Sequence, residues 1–255
     1  MNDVKNPATF QNPFSLHGKA ILVTGASSGI GRAVAIACAQ AGARLVISGR
    51  DATRLDATLA QLAAPGDGVH QAVVADLTDP GQLALLAAAA GQLDGVVHGA
   101  GIDGVAPVRM LRQAFLESVM ATNFIAPVML TQKLLYQKQL KNGASLVFLS
   151  SIAVHTGTVG LGPYGSSKAA LEGFILPLAL EIAPRGMRAN ALAPGLVDTP
   201  LVNHAAEWLA EQGKKYPLGL GRPEDVAYGA IYLLSDASRK VTGTQLHLDG
   251  GIPWT

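Results

Sequence analysis

Short apolar runs alternate along the chain with longer stretches whose hydrophobic residues recur every three to four positions. The runs predict strands over residues 20–23, 44–48, 68–75, 94–97, 144–149, 187–192 and 245–248. The helical period predicts helices over 29–41, 52–63, 80–90, 108–141, 164–183 and 223–234. Strand and helix alternating at this spacing argue for parallel βαβ units and a doubly wound α/β sheet. Residues 1–15, with Asn, Pro and Phe interspersed, carry no period and read as a flexible arm, and residues 16–255 read as one domain. There is no repeat at a solenoid period and no second composition regime.

Composition narrows the function classes. Of 255 residues, 49% are hydrophobic and 15% charged, and the net charge is +1, so no nucleic-acid footprint is present. Apolar stretches such as the one from Leu83 to Ala90 fall short of the roughly 18 residues that suggest a membrane span. The first residues contain no apolar signal core, which predicts a cytoplasmic protein without a membrane partner. The one cysteine, Cys38, falls in an Ala-rich helical pattern and reads as a buried thiol. No disulfide within the chain or cysteine metal site follows from it, and no metal is expected.

The first strand runs into a turn whose glycines, Gly25, Gly29 and Gly31, precede a helical pattern. Such a turn lets backbone approach a pyrophosphate lying on the free N–H groups of the helix end. An ordinary strand-to-helix loop also uses glycines, so the turn alone does not decide. At the end of the second strand, where a carboxylate would bind the ribose of NAD, Gly49 is followed by Arg50. An arginine pairs with a phosphate bidentately, so NADP is favoured, with NAD left open by the neighbouring Asp51. Asp76, closing the third strand, either meets the adenine edge or caps the helix that starts at Pro80.

Tyr164 and Lys168 lie four apart, on one helix face. A tyrosine of pKa about 10 is a poor base at neutral pH, and a nearby ammonium lowers it by stabilising phenolate. Thirteen residues upstream, Ser151 ends an apolar strand, and the carboxyl end of a central strand is where ligands bind in open α/β sheets.

Taken together, these residues make the chain resemble the short-chain dehydrogenase/reductase family, in its compact single-domain subgroup and near its 3-oxoacyl-(acyl-carrier-protein) reductase members. The resemblance runs from Phe14 to Gly251. It is carried by Thr24-Gly25 with Gly29 and Gly31, Asp76-Leu77, Asn123, Ser150-Ser151, Tyr164 with Lys168, the stretch from Asn190 to Gly195 with Thr199, Gly221-Arg-Pro-Glu and Leu248-Asp-Gly-Gly251. It implies a Rossmann fold with seven parallel strands in the order 3-2-1-4-5-6-7 and helices on both faces. It also implies an NAD(P)-dependent oxidoreductase that moves hydride between a nicotinamide and a small or medium ketone or secondary alcohol.

By that resemblance Tyr164 is the general acid and base, Ser151 binds the reacting oxygen, and Lys168 holds the nicotinamide ribose and depresses the tyrosine pKa. Asn123 holds a local helix distortion and a water linking Lys168 to solvent. The cofactor lies along Gly25, Ser27, Ser28, Gly29, Ile30 and Gly31, then Arg50, Asp76 and Leu77, then Gly99, Ala100 and Gly101. Tyr164, Lys168, Pro194, Gly195, Val197 and Thr199 complete it. His155, Leu201 and Trp208 are candidate substrate contacts beside Ser151, and Tyr216 adds apolar surface to the segment after Thr199.

The chain departs from the family in places. His98-Gly99-Ala100-Gly101 stands where many relatives have Asn-Asn-Ala-Gly, and this turn poses the question of what His98 does. No second ligand at metal spacing surrounds it, and proton transfer belongs to Tyr164, so it reads as a substitution in how the sheet is tied to the turn. Pro177 falls inside a helix, where proline costs about 3 kcal/mol unless a kink accommodates it. Lys138 and Lys141 form no basic cluster with Glu172 and Leu180, so docking of an acidic carrier protein lacks support. Relatives are usually tetramers, which predicts a homotetramer or homodimer. Two alternatives stand beside the NADP-linked reductase: an NAD-dependent sugar, polyol or cyclic-diol dehydrogenase, and a catalytically silent nucleotide sensor.

Overall fold

A computed structural model of the chain describes residues 12–65, 68–199, 211 and 213–252. Seven parallel strands form one sheet: β1 (Ala20–Thr24), β2 (Arg44–Gly49), β3 (Gln71–Val74), β4 (Leu93–His98), β5 (Leu140–Leu149), β6 (Arg188–Pro194) and β7 (Gln245–Leu248). Their order is β3-β2-β1-β4-β5-β6-β7, as the resemblance implies. The chain reverses direction across the sheet between β1 and β4, and open α/β sheets bind ligands at such a switch point.

The alternation of side chains along each strand explains why helices cover both faces. In β1, Ala20 and Leu22 enter one core while Ile21 and Val23 enter the other, and in β5 Leu146 and Phe148 oppose Val147 and Leu149 in the same way. The first core is covered by α3 (Pro80–Ala90), α5 (Ala126–Tyr136) and α6 (Gly162–Ile182). The second is covered by α1 (Gly29–Gln40), α2 (Ala52–Leu59) and α7 (Pro223–Leu234). Cys38 is buried in this second core, and desolvation pushes its thiol up to about 12, so it is inert packing. Residues 1–11 of the expected arm lie outside the described residues. From residue 12 on, the Pro13 carbonyl accepts from Ala237 N at 3.0 Å and the Phe14 ring centre lies 6.3 Å from that of Tyr232, so this part of the arm is docked.

The single helix predicted over 108–141 is divided. A 3-10 turn at Val108–Met110 precedes α4 (Gln113–Met120), a π turn at Ala121–Ile125 and then α5. The last residues leave the helix at Lys138 (φ 55°), because Leu140 pairs with Leu93 and opens β5 early. No glycine or proline precedes Gly143 to mark that exit, so the pattern extends the helix too far. The stretch Gln113–Tyr136 is long and apolar enough to cross a membrane, with a mean hydropathy of 1.4. Here its buried side chains Val119, Ala126, Leu130 and Leu134 lie within the fold. Pro177 does not interrupt α6. The carbonyl it leaves without a partner is that of Gly173, and both residues are exposed, so water reaches the gap.

His98 closes β4 and points into the first core, away from the glycine turn that follows it. Its ring stacks on Phe148 with centroids 4.5 Å apart. The Thr131 hydroxyl donates to the Pro127 carbonyl at 2.9 Å and accepts from His98 Nε2 at 3.0 Å, so the histidine ties β4 to α5. Nδ1 is buried without a partner among the described residues. Desolvation pushes the imidazole down to about 3, so it is neutral in the folded protein.

The unfolded chain, with an ordinary histidine pKa of about 6.5, binds a proton below that pH which the folded chain refuses down to about 3. Stability from this group is therefore whole above pH 6.5 and lost as the pH falls toward 3. His98→Leu is expected to cost about 1–2 kcal/mol at pH 7 and to lack this acid slope of about 1.4 kcal/mol per pH unit. Urea unfolding at pH 7 and pH 5 measures both, and equal slopes in the two proteins would show that His98 is not held neutral.

Candidate active site

The carboxyl ends of the central strands open on one cavity of about 620 Å³. Its floor is a backbone contact between the turn after β1 and the turn after β4. A Cβ on Gly25 would stand 2.7 Å from Ala100 N, and one on Gly99 would stand 2.7 Å from the Thr24 carbonyl. Thr24 Oγ1 accepts from Gly99 N at 3.1 Å and Ala100 N at 3.3 Å, so Thr24 holds this turn to β1. The tie sought in His98 is made by Thr24, while His98 anchors the other face.

Every residue expected to meet the cofactor lines this cavity: the turn from Gly25 to Gly31 at Ser27, Ser28, Gly29 and Ile30, then Arg50, Asp76 and Leu77, the turn Gly99–Gly101, and Pro194, Gly195, Val197 and Thr199. Two observations test whether they fit a dinucleotide. Ser28 caps α1 without a side-chain hydrogen bond and no acidic residue lies in the first turn, which leaves the N–H groups of that helix end for an anion. Ser48 Oγ, on the cavity wall, is buried with no partner among the described residues. Both fit a polar phosphate-bearing ligand.

Where β2 ends, the nearby carboxylates are engaged. Asp51 caps α2, accepting from Arg54 N at 2.9 Å and pairing with Arg54 Nε at 2.8 Å, and the backbone bond leads in holding its pKa below the usual range. Asp76 accepts from Thr78 Oγ1 at 2.7 Å and Thr78 N at 2.9 Å, which also lowers its pKa. The cap of α3 is Asp79, not Asp76, because Asp79 accepts from Gly81 N at 2.7 Å and Gln82 N at 3.0 Å. Arg50 and Arg54 both face the cavity. Arg54 was not singled out in the sequence, although its place three residues after a capping aspartate was a usable signal.

Ser151 caps a 3-10 turn, Ile152–Val154, and its Oγ accepts from Ala153 N at 3.1 Å. Its side chain is also hydrogen-bonded to the Tyr164 phenol. Lys168 lies 5% exposed, its Nζ donating to the Leu149 carbonyl at 2.7 Å and standing 5.6 Å from the Tyr164 ring centre. Asn123 sits in the π turn, which provides the expected helix distortion. Its Oδ1 accepts from Ile102 N at 2.9 Å, and its Nδ2 donates to Ile102 O at 3.0 Å and to Ser167 Oγ at 3.1 Å.

The expectation that the ammonium depresses the tyrosine is corrected. Burial pushes the phenol pKa up, the Ser151 hydrogen bond offsets part of this, and the Asp103 carboxylate adds to the rise. Burial also draws Lys168 down to about 8. The desolvation of a phenolate outweighs an ammonium whose hydrogen bond goes to a carbonyl.

The substrate contacts divide. His155 is absent from the cavity wall, because its ring packs edge-on against His247 with centroids 5.3 Å apart and its Nε2 faces Glu172 Oε2 at 3.6 Å. Leu201 and Trp208 lie outside the described residues. Asp103, Val105, Thr156, Thr158, Tyr216 and Ile252 do line the cavity. Of these only Tyr216 was signalled, since loop residues carry no period. Among the described residues no cluster of His, Cys, Asp and Glu could hold a metal.

A family model described as enoyl-(acyl carrier protein) reductase matches residues 25–253. A 3-oxoacyl-(acyl-carrier-protein) reductase of Aquifex aeolicus is 32% identical, over 93% of this chain and 98% of its own. An L-rhamnose 1-dehydrogenase (NAD(P)+) of Azotobacter vinelandii is 36% identical, over 92% and 96%. A structure from Agrobacterium tumefaciens with bound NADP superposes with a TM-score of 0.84 at 31% identity, covering 94% of this chain and 98% of that one. With this sheet order and this cavity, the chain belongs to the short-chain dehydrogenase/reductase family and is an oxidoreductase that transfers hydride between a nicotinamide cofactor and a ketone or secondary alcohol.

Proposed function

We propose that the protein is an NADP-preferring reductase of small or medium ketones in which Tyr164 carries the proton, with residues 16–255 acting as one unit. The observation that supports it best is the hydrogen-bonded Ser151 and Tyr164 pair with Lys168 buried beside it. A bound nicotinamide dinucleotide would supply hydride to the carbonyl carbon and would accept it in the reverse direction. Tyr164, with its pKa raised, holds its proton at neutral pH and donates it to the carbonyl oxygen. Ser151 donates to the same oxygen and offsets the charge that develops there. Lys168 would hold the cofactor ribose, and Asn123 holds the π turn against Ile102 and Ser167. Oxidation needs the phenolate and therefore gains as the pH rises.

The preference for NADP rests on Arg50 and Arg54 together with the engagement of Asp51 as a helix cap. The Agrobacterium structure holds NADP, in line with this preference, and the Azotobacter protein is named for NAD(P)+, which leaves NAD open. At the reacting end, Asp103 makes no hydrogen bond or ion pair among the described residues and acts electrostatically on Tyr164. An unpaired carboxylate on the cavity wall that holds the phenol favours neutral substrates over anionic ones. With Thr156 and Thr158 it also offers acceptors to hydroxyl groups, which favours the sugar or polyol reading as the second choice. The silent sensor finds no support beside these relatives. Exposed Ile125, Met129 and Tyr136 near α5, and Leu176 and Leu180 on α6, favour a homotetramer or homodimer. We place the enzyme in the cytoplasm, acting on a small molecule without nucleic acid or membrane.

Tyr164→Phe is expected to lower kcat by about 10³-fold or more while the dissociation constant for NADPH, read by fluorescence, moves less than about threefold. Retained turnover removes Tyr164 from the proton-transfer role. Arg50→Asp is expected to shift the ratio of kcat/KM with NADPH and NADH toward NADH by about 10-fold or more, and an unchanged ratio means that the 2′-phosphate is read elsewhere. For Asp103→Asn, kcat/KM for acetoacetate should rise about 5–10-fold while that for ethyl acetoacetate stays within about threefold. Equal changes for the two would exclude Asp103 as a charge filter.

A further inference from the structure

Tyr164, Lys168 and Glu172 follow at i, i+4 and i+8 and form one stripe down α6. Each meets the residues that close β5. Tyr164 is hydrogen-bonded to Ser151, Lys168 Nζ donates to the Leu149 carbonyl at 2.7 Å, and Ser150 Oγ donates to Glu172 Oε1 at 2.6 Å. Glu172 is 6% exposed, and its other oxygen stands 3.6 Å from His155 Nε2. Ser150 and His155 bracket Ser151 and the turn Ile152–Val154. One buried carboxylate therefore faces both ends of the short segment that carries the Ser151 hydroxyl.

We propose that Glu172 is a positioning residue for hydride transfer, holding the 150–155 segment so that Ser151 and Tyr164 converge on one substrate oxygen. The proposal rests on the reading of Ser151 and Tyr164 as the reacting pair. A buried carboxylate contributes little net stability compared with an apolar side chain of similar volume. What it adds is direction, because a short charge-assisted bond from Ser150 fixes the backbone one residue before Ser151. The segment otherwise has the freedom of a loop, and a displacement of about 1 Å in a reacting group costs about 10²-fold in rate. Lys168 and Glu172 act on neighbouring points of the same strand end, so the helix that bears the proton donor also sets the place of the serine it works with.

The test compares Glu172→Leu, Ser150→Ala and the double variant with the wild-type enzyme in ketone reduction and in NADPH binding by fluorescence. Expected is a fall in kcat of about 10–100-fold for each single variant, with the NADPH dissociation constant within about threefold. The double variant falls no further than the singles, because both remove one interaction. Glu172→Gln, which keeps an accepting oxygen for Ser150, returns kcat to within about threefold of wild type. Unchanged kcat in Ser150→Ala and Glu172→Leu overturns the proposal. Joint loss of kcat and NADPH binding without rescue by glutamine also overturns it, since that is the mark of a merely structural residue. If Glu172→Leu does not fold, Ser150→Ala decides alone, because it leaves α6 untouched. Tyr164→Phe in the same assay separates the two ideas: an inactive Tyr164→Phe beside a fully active Glu172→Leu removes only the role of Glu172, whereas an active Tyr164→Phe removes the reacting pair and the positioning role together.

Discussion

The cavity exists because two backbone turns touch with no side chain between them. Gly25 and Gly99 leave no room for a Cβ, and Thr24 Oγ1 bonds the two N–H groups that the second turn presents. This contact lies where the strand order reverses between β1 and β4, so the helices that follow diverge to opposite faces of the sheet. Divergence opens the crevice, and the uncapped end of α1 faces into it. A larger residue at either glycine would part the strand ends and remove the floor of the cavity.

The second constraint is the seam between α6 and the end of β5. It buries an ammonium and a carboxylate, both of which need partners, and the strand end provides them as the Leu149 carbonyl and the Ser150 hydroxyl. On the adjoining flank of α6, Ser167 accepts from Asn123 and donates to the Tyr164 carbonyl at 2.7 Å, which joins the π turn to the same helix. Tyr164, Ser151 and the π turn are thus parts of one hydrogen-bonded body. Burial raises the tyrosine and lowers the lysine, so each moves toward its neutral form.

Much of this was legible in the chain. Apolar runs and helical periods located all seven strands, because parallel strands covered on both faces read as continuous hydrophobic segments. Glycines at a strand end and Tyr164 four residues before Lys168 marked the cavity, since their spacing is set locally by turn and helix geometry. Less legible were the exit of α5 into β5, which a pairing with Leu93 decides, and the side chains of the loop after Gly101, where Asp103 carries no periodic signal. His155 illustrates the same limit: its position next to the Ser151 turn suggested a substrate contact, yet its ring turns toward Glu172 and His247.

The amino-acid order by itself determined the βα alternation, the glycine turn after β1 and the spacing of Ser151, Tyr164 and Lys168, because each depends on residues close in sequence. Tertiary structure decided which polar groups lose water and what they meet when they do. His98 became a neutral core residue bonded to Thr131, Asp51 became a cap that leaves Arg50 and Arg54 facing the cavity, and Tyr164 became a weaker acid than its neighbour Lys168 alone would make it. Desolvation and long-range hydrogen bonding depend on distances that no local pattern encodes.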